Sequence, residues 1–405
     1  MNNLIKSKPL GIFFIMGIIL FFPLTVYSYV PMGFSLGYIL IIVQLIIAVF
    51  FNIMLKNTIK FNYFYFIFLS ILFLSSVIGS LIASSNANYV IVFFLRAYLV
   101  YIYLICVSPF INLSLFLKVY EFFGFFVMLY LYVQLFLYHV LGIFIRANPL
   151  RIPLSQTNDM DLVTSSNLYI FRPASIFLEP GWYSVFILVL FVIYLSKKKF
   201  ILAAITFFSM VLATSSLGIA TAIIIVLYFS LSRKIQLKYK ISIVIVAISG
   251  IVFFMTSPLL AQAFSRIQSS GGSLGQRLLR GFEIIPQLRF PDFITGVGFG
   301  NLGNYLEQYK ITTSNDFGIP IDYMNSFMNM YISGGIVGFL SFIFIIFKYF
   351  MVEKRDLLFD LFNVMVLTQL IASSVFNGGI WLIYITFYLL YFSEVKHQGT
   401  IYIHL

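Results

Sequence analysis

Apolar runs of about 20 residues recur along the whole chain, and short polar turns separate them. A helix needs about 20 apolar residues to cross the hydrocarbon core of a bilayer. Because lipid offers the backbone no hydrogen-bonding partners, each run must satisfy its own polar groups, and a helix does so. The pattern predicts an all-α protein, a polytopic bundle of transmembrane helices.

The composition agrees with a membrane protein and excludes an ordinary soluble one. Hydrophobic residues make up 61% of the chain and charged residues only 9%, whereas soluble domains carry about 25% charged residues. The net charge is +12, but the cations lie mostly in turns between apolar runs, which indicates membrane topology and no nucleic-acid partner. The single cysteine, Cys106, lies inside an apolar run and excludes an intrachain disulfide framework and a cysteine metal cluster.

The runs predict about twelve spanning helices within one membrane domain, residues 1–405. The first run follows Lys6 and Lys8 and lacks a small-x-small cleavage site, so we expect a retained helix and not a removed signal peptide. The predicted spans are 10–30, 36–55, 62–82, 89–110, 115–143, 181–195, 200–213, 216–232, 240–258, 324–347, 358–376 and 379–393.

The positive-inside rule orients these spans, because cytoplasmic turns carry an excess of lysine and arginine. One set of turns holds most of the 25 cations: Lys6, Lys8, Lys56, Lys60, Lys118, Lys197, Lys198, Lys199, Arg233, Lys234, Lys238, Lys240, Lys348, Lys354, Arg355 and Lys396. The short turns on the opposite side hold none. An even number of spans then predicts that both termini are cytoplasmic.

Two long segments, 144–180 and 259–323, are predicted to form loops on the outer, periplasmic face. Their cations are mostly arginine: Arg146, Arg151, Arg172, Arg266, Arg277, Arg280, Arg289 and Lys310. Lysine suffices for topology, whereas the planar guanidinium also suits phosphate, carboxylate and sugar oxygens. This choice of residue predicts that the outer loops bind an anion.

The first candidate site combines Arg172 with Glu179, which precedes Pro180. Proline is favoured at the first position of a helix, and the helix dipole favours a carboxylate there. One reading is a helix start with Trp182 as an interfacial anchor. The other is a catalytic or substrate-holding pair at the water–lipid boundary.

The second candidate is arginine-rich. Arg277 and Arg280 are three residues apart and share a helical face, which Glu283 continues, and Arg289 follows. The segment is either a solvated amphipathic helix on the membrane surface or a cradle for diphosphate and glycan.

Three further patterns complete the candidates. The run from Gly296 to Gly300 lacks the surrounding βαβ unit of a dinucleotide site, so we expect a tight turn. Asp322 and Asn325 open the tenth span and need polar partners so close to the hydrocarbon. Asp159-Met-Asp161 fits a metal site poorly in a loop of polar residues, and no metal site is predicted.

Four motifs follow one another along the chain: R-P-x-S-x-F-x-E-P at 172–180, T-S-S-L-G at 214–218, Q-R followed by G-V-G-F-G-N within 276–301, and N-S-x-x-N-x-x-x-x-G-G-I-V-G at 325–338. In these motifs, and in two long outer loops flanking a middle bundle, the chain resembles the Wzy-type O-antigen and capsule repeat-unit polymerases. These belong to the wider O-antigen ligase/polymerase superfamily.

The resemblance implies an enzyme in the bacterial inner membrane that joins oligosaccharide repeat units carried on undecaprenyl diphosphate. It implies Glu179 as base or orienting group with Asp322 in reserve, and Arg172, Arg277, Arg280 and Arg289 on diphosphate and glycan, beside Asn325. It implies no cofactor. The implied partners are the bilayer, a Wzz-type chain-length regulator and a Wzx-type flippase.

Two other functions stay open. The ligase branch usually has a histidine before the asparagine of the last motif, where this chain has Met324, and this departure favours the polymerase branch. A lipid-linked oligosaccharide flippase or other transporter would be expected to show internal repeats, broken helices and ionisable residues near the midplane.

Overall fold

A computed structural model of the chain describes residues 8–25, 27, 35–145, 162–165, 168–171, 173–232, 236, 273–311, 324–350, 356–373, 379–394 and 400–404. Most of these residues are helical. The α-helices are α1 (Lys8–Leu24), α2 (Leu36–Leu55), α3 (Tyr63–Ile82), α4 (Ala87–Val107), α5 (Leu113–Leu141), α6 (Pro180–Ser196), α7 (Phe200–Leu212), α8 (Ser216–Leu231), α9 (Ser273–Ile284), α10 (Phe290–Thr295), α11 (Leu302–Gln308), α12 (Ser326–Phe350), α13 (Leu357–Ala372) and α14 (Ile380–Glu394).

Each predicted span with described residues overlaps a helix, although α1 ends at Leu24 where the prediction ran to residue 30, and the predicted span 240–258 lies outside the described residues. Five helices, α2, α3, α4, α5 and α12, are long and apolar enough to cross a membrane. The other six apolar helices have 10–17 residues. The structure is therefore that of a helical protein with at least five segments suited to a bilayer, and the larger number of spans stays a prediction.

Short strands add to the predicted all-α architecture. β1 (Thr58–Asn62) pairs antiparallel with β4 (Thr400–His404), and β2 (Leu162–Ser165) pairs antiparallel with β3 (Leu168–Phe171). Each strand has only four or five residues, which is too short for a period-2 pattern to stand out within an apolar chain. The sequence analysis missed them for this reason.

The centre of the bundle is α6. Every residue from Tyr183 to Leu195 is buried, and the helix packs against α5, α7, α8 and α13. A helix that is apolar around its whole circumference has no face suited to water and takes an interior position.

Polar side chains inside the bundle bind backbone carbonyls of neighbouring helices. Asn52 Nδ2 of α2 donates to Cys106 O of α4 at 2.7 Å, and the Tyr120 hydroxyl of α5 donates to Phe186 O of α6 at 2.8 Å. Hydrogen bonds of this kind contribute about 0.6 kcal/mol each in a membrane bundle. They also fix which helices are neighbours, which apolar contact alone does less selectively.

The peripheral helices expose large apolar side chains. Ile46 and Phe50 of α2 are 65% and 58% exposed, and Phe122 of α5 is 65% exposed. Such a surface is stable against hydrocarbon and unfavourable in water. The bilayer is therefore the partner that these helices fit.

One end of the bundle carries the described lysines of the turns, Lys56, Lys197, Lys198, Lys199 and Lys348, and we call it the lysine end. Here Lys197 Nζ contacts Glu121 Oε2 at 2.5 Å. The start of α5 meets the end of α14, since Leu113 N donates to Glu394 Oε1 at 3.1 Å. The β1–β4 pairing joins residues 58–62 to residues 400–404 at this same end.

The opposite end, which we call the loop end, carries the described parts of both long segments. Ser326 N at the start of α12 donates to Ser373 O after α13 at 3.1 Å. Ser85 Oγ, between α3 and α4, donates to Val297 O at 3.2 Å. Residue 179, where α6 begins, also lies at this end. The described parts of the two segments thus lie at one end, while the loops themselves and their side of the membrane stay predictions.

A cysteine-labelling experiment tests that side. Cys106 is buried, so the natural chain serves as the unlabelled control. Gln308 at the loop end and Ser114 at the lysine end are both exposed. We expect an impermeant maleimide to label Gln308→Cys on intact cells and Ser114→Cys only after permeabilisation. The reverse pattern would invert the topology.

Candidate functional site

The helix α12 is broken at Gly335, whose φ of 64° and ψ of −167° are not helical. The segment after α10 fills the break. Val297 N donates to Ile332 O and Gly298 N donates to Ser333 O, both at 2.9 Å. Two carbonyls that the break removes from the helical pattern are thereby satisfied by a loop backbone, as the membrane environment demands.

Three glycines meet at this break: Gly79 of α3, Gly296 of the loop and Gly335 of α12. An ideal Cβ on Gly79 would lie 2.5 Å from Gly296 O, and one on Gly335 would overlap Ile294 O. Gly296 itself has a φ of 78°. The predicted tight turn is present, and its glycines allow three backbones to touch. We call residues 295–298 with Gly79 and Gly335 the glycine junction.

Arg289, predicted to bind substrate, is held within the protein. Its Nε donates to Asp292 Oδ2 at 2.6 Å, and its guanidinium lies 4.2 Å from the centre of the Tyr309 ring. The hydroxyl of Tyr305 donates to the same Asp292 oxygen at 2.7 Å. The side chain of Arg289 is 41% exposed while Asp292 is fully buried. Arg289 thus anchors α10, and a carboxylate already neutralises much of its charge.

The ionisation of this cluster follows from its contacts. The hydrogen bond that Arg289 donates to the Asp292 carboxylate, together with the charge of that carboxylate, raises the pKa of Arg289. Burial and the hydrogen bond to Asp292 raise the pKa of Tyr305 to about 12. Tyr305 therefore keeps its proton at physiological pH and acts as a hydrogen-bond donor to the carboxylate.

Arg280 is a buried arginine at the loop end. It lies on α9, which forms where the sequence predicted a helix, and only 5% of it is exposed. The next residue, Gly281, abuts the side chain of Met328 on α12. This contradicts the reading of a solvated surface helix, because the charge points into the protein.

A small second hydrophobic core packs against α9 and the glycine junction. It contains apolar residues of α3's end, α9, the loop, α11 and α12: Ala83, Ile284, Val297, Leu302, Tyr305, Leu306, Met324 and Ile332. Met324, which stands where a ligase would have histidine, is a fully buried core residue here. The loop end is thus a packed structure with its own apolar interior.

Asn325 caps α12. It is 6% exposed, and its Oδ1 accepts a hydrogen bond from Met328 N at 2.9 Å. This is the ordinary role of asparagine at a helix start. Ser326 Oγ then donates to Ser373 O at 2.7 Å and ties α12 to the end of α13. The polar stretch that opens the tenth predicted span therefore has a structural explanation at these two positions.

Glu179 is the residue before α6, with Pro180 at the first helical position, as predicted. Its backbone carbonyl accepts from Trp182 N at 3.1 Å, but its carboxylate makes no capping hydrogen bond. The carboxylate is therefore not committed to the helix end. It lies at intermediate exposure where the central helix meets the loop end.

The T-S-S-L-G motif shapes the start of α8. Thr214 has a φ of 55°, and Ser215 Oγ accepts from Gly218 N at 3.3 Å. Gly218 touches Ser184 of α6 so closely that a Cβ would overlap it. Small residues at a helix crossing permit such an approach. The motif therefore sets the fit of α8 on the central helix.

Sequence reasoning overlooked three polar side chains beneath the loop end. Ser184, Thr221 and Gln369 are fully buried, and each has one side-chain atom that makes no hydrogen bond within the described part of the chain. They lie on α6, α8 and α13, which pack against one another. Serine and threonine are so common at helix contacts that the sequence pattern gave no signal.

Several predicted site residues cannot be placed. Arg172, Asp322 and the Asp159-Met-Asp161 pair lie outside the described residues, and for Arg277 only the helical backbone is described. Among the described residues, Arg280, Arg289, Asn325 and Glu179 all lie at the loop end. Within the same residues there is no group of three histidine, cysteine, aspartate or glutamate side chains that could hold a metal ion.

No protein-family model matches the chain, and a search of curated proteins returns no match. The polymerase resemblance drawn from the four motifs therefore stays a prediction.

Gly335→Ala tests the glycine junction. The alanine would adopt a backbone conformation that is essentially restricted to glycine and would overlap Ile294, so we expect the free energy of unfolding to fall by about 3 kcal/mol. The readout is the thermal unfolding midpoint in detergent micelles. The control is Gly303→Ala on α11, where a Cβ meets open space. Equal midpoints would show that the junction is not built as described.

Arg289→Met tests whether Arg289 has an anchoring role. It leaves the buried Asp292 carboxylate without its cation, and we expect a loss of about 1–3 kcal/mol in stability. Lys310→Met, at an exposed site, is the control and should be neutral. If the two groups act as a pair, Arg289→Met combined with Asp292→Asn loses less than the sum of the single changes. If the stability losses of the two single changes simply add, Arg289 and Asp292 do not act as a pair.

Proposed function

We propose that this protein is a membrane glycosyltransferase of the O-antigen or capsule repeat-unit polymerase type. It would join oligosaccharides carried on undecaprenyl diphosphate, at the outer face of a bacterial inner membrane and with both of its termini in the cytoplasm. The observation that carries the proposal is that a buried arginine, Arg280, and a partly exposed carboxylate, Glu179, lie at the same end of a lipid-suited helix bundle.

The charge distribution supports an anionic substrate. Arg280 is withdrawn from water on a helix that packs against α12 and α13, and a guanidinium in a low-dielectric site attracts an anion more strongly than one in solvent. Arg289 contributes less to this proposal than its sequence suggested, because Asp292 already pairs with it. Arg280 is therefore the described candidate for the anion-stabilising arginine because of its burial, and Arg172 and Arg277 are further candidates.

The proposed chemistry assigns each group a task. A hydroxyl oxygen of the acceptor sugar attacks the anomeric carbon of the donor, and the bond from that carbon to the diphosphate oxygen breaks. The electron pair leaves with the diphosphate, whose growing charge an arginine stabilises. The hydroxyl proton goes to a base, for which Glu179 is the described candidate and Asp322 the reserve. No metal or cofactor is needed.

A transporter is the second candidate, and one observation favours it: α12 is a broken helix, as in many transporters. The break, however, is closed. The carbonyls of Ile332 and Ser333 are bonded to the loop, so they offer no free ligands to a passing substrate. A ligase remains the third candidate. The buried position of Met324 supports a structural role where a ligase would place histidine.

The proposal also names partners by class: the bilayer, a lipid-linked oligosaccharide, a Wzx-type flippase that delivers it and a Wzz-type regulator of chain length. Of these, the lipid bilayer has direct support from the exposed apolar faces of the long helices.

Gene deletion with complementation tests the function. The glycan is read as a ladder on a gel. Loss of a polymerase leaves single repeat units on the surface lipid. Loss of a ligase leaves the surface lipid without attached glycan, and loss of a flippase leaves the lipid-linked substrate on the cytoplasmic side of the membrane. We expect the single-unit pattern, and either of the other patterns would replace the proposal with its rival.

Complementation with variants tests the residues. Glu179→Gln and Arg280→Gln are expected to abolish long chains, because the first removes the base and the second the anion-stabilising charge. Glu307→Gln and Lys310→Gln, both at exposed loop-end positions, should support normal chains. Membrane abundance of each variant is measured by immunoblot. A full ladder from Glu179→Gln or Arg280→Gln removes that residue from the mechanism.

A further inference from the structure

The described side chains of α9, from residue 279 to its end, have an inverted polarity. Arg280 is 5% exposed, whereas Leu279 and Phe282 are 59% and 60% exposed. A helix lying on the water side of a membrane would turn its charge outwards and its apolar residues towards the protein. Here the apolar residues face the surroundings.

The same surface continues on α10. Phe290, Phe293 and Ile294 are 79%, 38% and 42% exposed. Arg289 is the one charged residue classed as exposed between residues 279 and 295, and its guanidinium is engaged by Asp292 and the Tyr309 ring. Among the side chains that the structure describes, the exposed ones on the last turn of α9 and on α10 are therefore mostly apolar.

This apolar surface adjoins the lipid-facing surface of the long helices. The short helix α10 packs against α3 and α12, and the Arg289 Nη2 atom donates to Ile82 O at the end of α3 at 3.5 Å. Leu81 on α3 and Val337 on α12 are 67% and 55% exposed. Both helices are long and apolar enough to span a bilayer, so their exposed faces lie against hydrocarbon.

We infer that α9 and α10 form a re-entrant element immersed in the membrane leaflet at the loop end. Their exposed apolar side chains contact lipid hydrocarbon, and Arg280 faces the protein interior. Backbone at this depth is tolerated because helical hydrogen bonds and the packed second core satisfy it. An interfacial helix commonly sits 5–10 Å into the boundary between headgroups and acyl chains. The arrangement brings the buried arginine to the depth of lipid headgroups. This inference does not rest on the proposed enzymatic function.

Spin labelling in liposomes of phosphatidylethanolamine and phosphatidylglycerol tests the immersion directly. In a Cys106→Ser background, single cysteines replace Leu279, Phe282 and Phe290 and carry a nitroxide. Collision with oxygen, which concentrates in hydrocarbon, is compared with collision with a water-soluble nickel chelate. Phe122→Cys on the exposed face of α5 is the lipid reference, and Gln308→Cys is the water reference.

We expect the oxygen-to-nickel ratio at positions 279, 282 and 290 to match the lipid reference and to exceed the water reference. Ratios equal to the water reference would overturn the inference and leave a solvated apolar patch. Low accessibility to both reagents would also overturn it, because another protein surface would then cover the patch. The spin-label measurement needs no substrate, so its result would stand even if the enzymatic proposal failed. Likewise, a failure of the lipid-contact inference would not overturn the enzymatic proposal.

Discussion

The loop end depends on two backbone hydrogen bonds, from Val297 and Gly298 to the carbonyls of Ile332 and Ser333. A broken helix inside a membrane protein exposes polar groups that lipid cannot satisfy, at a cost of several kcal/mol each. The loop supplies the missing donors. It can do so only because Gly79, Gly296 and Gly335 let the three backbones approach to contact distance.

That junction positions everything else at the loop end. It fixes α10 against α3 and α12, and the Arg289–Asp292–Tyr305 cluster then secures the turn before α10. The helix α9 packs against α12, and on it Arg280 is buried while Leu279 and Phe282 are exposed. The chemistry proposed for Arg280 and the lipid contact inferred for α9 both depend on this orientation of α9.

The sequence predicted which local elements form the candidate site but not the role of each of its residues. The sequence identified Glu179 before Pro180 as a helix start, and an arginine-rich helix near 276–283, because capping residues and i,i+3 spacing are local signals. It could not separate the roles of Arg280 and Arg289, since both are arginines in one segment. Only the fold brings Asp292 and Tyr305 to one of them. The buried Ser184, Thr221 and Gln369 carried no local signal, because their importance arises from three helices that are distant in sequence.

The sequence by itself determined that the chain forms apolar helices suited to a membrane and where most of the long helices lie, because a bilayer's thickness and lack of water fix the length and apolarity of each run. The uneven distribution of lysine and arginine likewise predicts two chemically different ends. The tertiary structure decided which helix lies at the centre, where α12 breaks and which arginine is buried. Those outcomes depend on backbones meeting across more than two hundred residues, from Gly79 to Gly335, and no periodicity along the chain encodes such a meeting.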